Sequence, residues 1–221
     1  MADMTDISVR TITLAPALLL MACSQSDPAP ALQAEEEVQN TFFSALAEHC
    51  GKAYSGQLVS DDEADADFID AAMVMHVSEC SDEGIAVPFH VELNGEWDRS
   101  RTWLITRTDN GLRLKHDHRH EDGESDQLTM YGGDTADEGT ANEQSFPVDQ
   151  FSIDMFNAQG YEVSVTNVWS VEVDPAGSES PKFTYQLKRT VEGGAPEPRL
   201  FRVEFDLSEE VEAPPPAWGH E

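Results

Sequence analysis

The feature that most constrains this chain is an apolar residue at every second position, repeated in segment after segment. Met73, Met75 and Val77 alternate in this way, and so do Ile85, Val87, Phe89, Val91 and Leu93. The pattern returns near the end in Phe183, Tyr185 and Leu187, and again in Phe201, Val203, Phe205 and Leu207. A period of two belongs to a strand with one dry face and one wet face. In the last segment Arg202, Glu204 and Asp206 fill the wet side.

Turn chemistry separates the segments. Asn94–Gly95 predicts a tight hairpin, and Asp109–Asn110–Gly111 a second one between Arg101–Thr108 and Leu112–His120. Gln127–Tyr131 is a further short strand candidate. The alternating Tyr161, Val163, Val165, Asn167, Trp169, Val171 and Val173 predict a long one. Two helices interrupt the pattern. Val38, Phe42, Leu46 and Cys50 form a stripe at spacings of four, with Gly51 as the stop. Val148–Ala158 is a short helix between Pro147 and Gly160, with Phe151 and Met155 on one face. Many antiparallel strands with one apolar face need that face covered. The expected fold is therefore mainly β: a strongly curved antiparallel sheet or lipocalin-like barrel with an N-terminal helix and one short internal helix. A flat two-layer α+β arrangement is the alternative.

The N-terminus carries a different signal. Thr11–Ala22 is apolar, but at about 12 residues it falls short of the roughly 20 that span a bilayer. Its end, Leu19–Leu20–Met21–Ala22–Cys23, resembles a bacterial lipoprotein signal, with Leu at −3 and a small Ala at −1. That resemblance implies cleavage before Cys23, lipidation of its thiol and a periplasm-facing protein anchored in the cell envelope. Ser24 in the next position resembles the pattern for sorting to the outer rather than the inner membrane. Residues 1–22 are then a signal peptide, 23–33 the lipidated Cys and tether, 34–208 a single β-rich domain, and 209–221 an acidic, Pro-rich tail. Of the three cysteines, Cys50 and Cys80 remain, and in an oxidising compartment they are expected to form a disulfide.

The chain has 43 acidic and 13 basic side chains, a formal net charge of −30. Such a surface repels phosphate backbones, so nucleic acid is excluded as a partner. Against that background six of the 13 basic residues fall between Arg99 and Arg119. They mark either an anion site or simple neutralisation of nearby acidic loops, and the second explanation is preferred.

The most unusual stretch is Leu112–Arg113–Leu114–Lys115–His116–Asp117–His118–Arg119–His120. Alternation continues the apolar face through His116, His118 and His120. A plain two-residue turn adds Trp103 and Ile105 to that face; a bulged turn at Gly111 adds Leu104 and Thr106 instead. Three functions compete for this row. It lines a cavity for a small ligand, with Trp103 and an inward Arg101; or it binds a metal such as zinc through His116 and His118; or it is structural. His116 and His120 would lie about 13 Å apart on an extended strand, against metal–nitrogen bonds near ~2.1 Å. Only an adjacent pair suits one ion, with His76, His90, Glu121 and Asp122 as further ligand candidates. No other cofactor is expected.

Tyr131–Gly132–Gly133–Asp134–Thr135 lacks the lysine and helix of a phosphate loop, and is expected to be a tight turn. Gly132–Glu143 is expected to be a polar loop. GxSxG, HExxH, CxxC and GxGxxG motifs are absent from the sequence. The segments SRTW, LRLKHDHRHEDG, YGGDT and VTNVW are similar to those of an uncharacterised family of exported bacterial proteins, from about Phe42 to Leu207. That resemblance implies one domain and carries no site assignment. The functional expectation is a lipid-anchored envelope protein that binds a small ligand or an envelope partner. The alternatives are a metal-dependent enzyme built on the histidine pair and a structural envelope protein.

Overall fold

The structure is a computed structural model and describes residues 30–220. The signal peptide, Cys23 and Ser24 lie outside the described residues. A helix α1 (Pro30–Ala47) opens the fold, followed by strands β1 (Ala53–Leu58), β2 (Met73–His76), β3 (Glu79–Cys80), β4 (Gly84–Leu93), β5 (Glu96–Thr108), β6 (Gly111–His118), β7 (Tyr131–Asp134) and β8 (Glu143–Pro147). Helix α2 (Gln150–Gln159) then precedes β9 (Val168–Val173), β10 (Lys182–Arg189) and β11 (Arg199–Val211). Short 3₁₀ turns occupy Glu63–Phe68 and Glu162–Ser164.

The strands form one antiparallel sheet in the order β7-β6-β5-β4-β2-β1-β11-β10-β9-β8, with β3 paired to β4. The sheet curls until its outer strands meet, giving the mainly β, nearly closed barrel that the alternation predicts. Closure depends on the glycine pair of β7. Gly132 O accepts the Asp149 N–H at 2.9 Å. A side chain on Gly133 would stand 1.7 Å from the carbonyl oxygen of Pro147, at the end of β8. Ser152 Oγ accepts the Gly132 N–H at 2.8 Å and lies 2.7 Å from Asp149 Oδ1, tying α2 to the seam. The expected tight turn at Tyr131–Thr135 is thus a strand, because glycine allows two backbones to approach where a Cβ would block them.

The two hairpins form as expected. Asn94 and Gly95 both have positive φ, at 55° and 84°, the signature of a primed turn. The second hairpin uses the plain two-residue loop: Thr108 pairs with Gly111 and Trp103 with His116. Apolar side chains of α1 enter one end of the barrel, where Phe42 and Leu46 are fully buried. Arg107, at the end of β5, lies over the Phe43 ring and bonds Asn40. Gln39 donates to Thr135 Oγ1 at 3.1 Å, beside the start of β6.

Several expectations need correction. The helix starts at Pro30, inside the stretch assigned to the tether, and ends at Ala47. Cys50 therefore lies in the following turn, from which it bonds Cys80 across a sequence separation of 30. The long strand from Tyr161 begins only at Val168. Tyr161 and Val163 are exposed and the backbone there forms a 3₁₀ turn, so their alternation was fortuitous. In α2 the buried pair is Ser152 and Phe156, while Phe151 faces solvent with the Lys115 ammonium 5.0 Å from its ring centre. Strand β8 has no counterpart in the sequence reading; it begins at Glu143, the last residue of the expected polar loop. The C-terminal segment is no loose tail. β11 runs to Val211, and beyond it the chain crosses the outer face of β5 and β6. There Arg99 Nη1 donates to Pro216 O at 2.5 Å, and His220 meets Asp117 at 2.9 Å.

Candidate functional site

The end of the barrel opposite α1 contains a cavity of about 250 Å³. Its floor and walls come from strands that point alternate residues inward: Phe89 on β4, Arg101 and Trp103 on β5, His116 and His118 on β6, Tyr185 on β10. Phe68, Leu128, Tyr161, Ser164 and Asn167, from turns and loops, complete the rim. Trp103 is stacked between two rings, 4.9 Å from Phe89 and 4.3 Å from Tyr185. His116 is stacked on Tyr131 at 4.5 Å, with Trp169 tilted against both. Offset and edge contacts of this kind hold aromatic walls rigid.

Polar groups inside this wall are ordered by one another. His116 Nδ1 lies 3.0 Å from the Tyr131 carbonyl, which can only accept, so Nδ1 carries the proton. Nε2 then has a lone pair, and the Tyr185 hydroxyl donates to it at 2.7 Å. Burial drives the His116 pKa down to about 3 and keeps the ring neutral. His118 is lowered to about 4, by burial first and by the Arg101 charge second. The Tyr131 hydroxyl, 3.2 Å from His118 Nε2, is pushed up to about 12 by burial. At neutral pH neither histidine is charged and both tyrosines keep their protons.

The formal charges at the cavity are those of Arg101 and Asp65. Both oxygens of Asp65 are held by Arg199, at 2.5 and 2.6 Å. Arg101 is held by one corner only: Nη1 donates to Asp98 Oδ2 at 2.5 Å and to Ser100 Oγ at 3.1 Å. The guanidinium also lies 5.6 Å from the Phe68 ring centre. The side-chain oxygen of Asn167 is buried and has no hydrogen-bond partner within the described chain.

Of the residues singled out in the sequence, His116, His118, Trp103 and Arg101 meet in this cavity. His120 does not. β6 ends at His118, and His120 is exposed beside Asp126 at 3.7 Å. His90 lies on β4 at the alternate position to Phe89 and Val91, and is buried with both ring nitrogens unpartnered. The pair considered for zinc has a different arrangement: His116 has already committed both ring nitrogens, one as donor and one as acceptor. Among the described residues, no three His, Cys, Asp or Glu side chains converge to hold an ion. Tyr185, Tyr131, Trp169 and Asn167 were not anticipated as site residues. A tyrosine in the middle of an apolar strand face, as at Tyr185, is a usable signal, since its hydroxyl must find a partner when buried.

No family model, curated protein or solved structure matches this chain.

Proposed function

We propose that this chain is a lipid-anchored, periplasm-facing envelope protein whose barrel binds a small ligand at the end opposite α1. The observation that carries the binding role is the cavity. Protein interiors are close-packed, with few voids larger than a water molecule. A space of about 250 Å³ walled by packed aromatic rings, with the buried Asn167 side-chain oxygen left unpartnered within the described chain, has the character of a site. Pockets for drug-sized compounds start near ~300 Å³, so the ligand is smaller than those. Concavity at this scale favours a small molecule over an envelope protein as the occupant.

The anchor rests on Leu19–Leu20–Met21–Ala22–Cys23, and Ser24 favours the outer membrane. A Cys50–Cys80 bond agrees with an oxidising compartment.

The test is a ligand-observed NMR screen of monocyclic fragments, followed on the tryptophan indole signals of the detergent-solubilised full chain. Trp103 and Trp169 line the cavity, whereas Trp97 and Trp218 do not. Binding fragments should shift the first pair and leave the second unmoved. A screen in which no fragment perturbs Trp103 or Trp169 overturns the binding role.

A further inference from the structure

Resting on the cavity as a ligand site, we propose that its occupant is a small aromatic carboxylate, with the ring among Trp103, Tyr131 and Tyr185 and the carboxylate on Arg101.

The first observation is the partial engagement of Arg101. Its Nη1 is used by Asp98 and Ser100, while Nε and Nη2 make no hydrogen bond within the described chain. Those two N–H groups are the parallel edge of the guanidinium, the geometry that receives both oxygens of one carboxylate. Asp98 fixes the group without covering that edge. Arg101 lines the cavity and retains 28% side-chain exposure, so a small ligand reaches it.

The second is the lack of any competing charge. Asp65 is saturated by Arg199, and Asp98 is occupied by Arg101, so no carboxylate is left over to hold a cation. The histidines are neutral. After burial, the Arg101 charge is the largest influence on His118 and on Tyr131, outweighing each of the nearby carboxylates. In a chain of net charge −30, Arg101 is the cationic side chain that lines this cavity.

The third is size and shape. A dry cavity of about 150 Å³ suffices for benzene. The 250 Å³ here leaves room for one ring and a carboxylate, and its walls are Phe68, Trp103, Tyr131, Phe156, Trp169 and Tyr185. Trp103 is already stacked on Phe89 and Tyr185, so a ligand ring meets these walls through edge and offset contacts.

Three probes sharing one ring test the assignment: benzoate, its neutral isostere benzamide, and the cation benzylamine. Dissociation constants at neutral pH are read from tryptophan emission and indole shifts of the full chain. Benzoate should bind about tenfold or more tighter than benzamide, a step of ~1.4 kcal/mol, with benzylamine weakest. Arg101→Gln should erase the preference for benzoate and leave benzamide within about twofold; Arg101→Lys, which keeps the charge without the fork, should fall between. Benzamide binding as tightly as benzoate overturns the proposal, and so does benzoate affinity unchanged in Arg101→Gln. If that variant does not fold, Arg101→Lys and the wild-type ranking decide. Fragments that bind without favouring the acid refute the proposal and leave the binding site standing. A blank fragment screen removes both.

Discussion

Tyr185 donates its hydroxyl to His116 Nε2 at 2.7 Å, joining β10 to β6 across the interior of the barrel. The bond exists because the Tyr131 carbonyl has fixed the tautomer of the same imidazole from the other side. Tyr185→Phe keeps the ring stacked on Trp103 but leaves a buried acceptor without a donor. A loss of about 1–3 kcal/mol is expected in urea unfolding. Unchanged stability would mean that water replaces the hydroxyl, and that the cavity is wet at His116.

The buried histidines make stability depend on mild acid. His116, His118 and His90 have folded-state pKa values of about 3, 4 and 4, all below the ordinary 6.5. The unfolded chain therefore binds more protons than the folded one as pH falls from 6.5 to about 4. Stability drops across that window with a slope approaching about 1.4 kcal/mol per pH unit for each histidine. The carboxylates of Asp98, Asp117 and Asp149 are held below their ordinary 3.8 by cationic and hydrogen-bonding partners that outweigh burial, so their contribution is lost only at lower pH. Urea midpoints at pH 7, 5.5 and 4.5 should fall steadily. A flat profile down to about pH 4.5 would refute the neutral, buried assignment.

How much of this was legible beforehand differs between the fold and the site. The barrel was readable because each strand must keep one face dry, and that requirement writes itself into alternate residues such as Phe201, Val203, Phe205 and Leu207. Where a segment answers to something else, the alternation misleads. Tyr161 and Val163 alternate at an exposed rim, whereas Tyr131–Asp134 lacks strand-like side chains because its glycines serve backbone approach. Half of the site was visible as the histidine row with Trp103 and Arg101, residues joined by one hairpin. The other half, Tyr185, Trp169 and Asn167, arrives from distant strands and loops through barrel closure, which local spacing does not encode.

Zinc provides a separate check on the histidines. A metal that binds only the folded state must raise its melting temperature. With both ring nitrogens of His116 committed, micromolar zinc is expected to leave the melting curve unmoved in wild type and in the His116→Ala, His118→Ala double variant alike. A rise in wild type that disappears in the double variant would establish a metal site and displace the ligand assignment.

The anchor predicts behaviour in the cell. Expressed in its native host, the protein should enter the detergent phase on phase separation, and intact mass should include acyl groups on a chain beginning at Cys23. Cys23→Ser should release it or stall its processing. An unacylated mature chain would refute the anchor while leaving the barrel and its cavity untouched.

The seam of the barrel offers the sharpest test of the fold. Gly133 faces the Pro147 carbonyl so closely that an added Cβ would lie 1.7 Å from its oxygen. Both partners at that point are backbone, so no side chain can swing aside to relieve the overlap. Gly133→Ala must therefore push β7 away from β8, which breaks the 2.9 Å bond from Asp149 N–H to Gly132 O and loosens α2 through Ser152. A cost of about 2–3 kcal/mol is expected, at the upper end for inserting one methyl into a packed site. Tyr131 belongs to the same strand and stacks on His116. The opening should thus also weaken fragment binding at Trp103 and Trp169. Gly95→Ala is the control: unlike Gly133, that glycine has positive φ, but nothing lies within 4 Å of an added Cβ, so it should bear only the backbone penalty of about 1 kcal/mol and leave binding intact. Equal costs at the two positions, or full binding in Gly133→Ala, would refute the seam as the element that closes the barrel and sets the wall of the cavity.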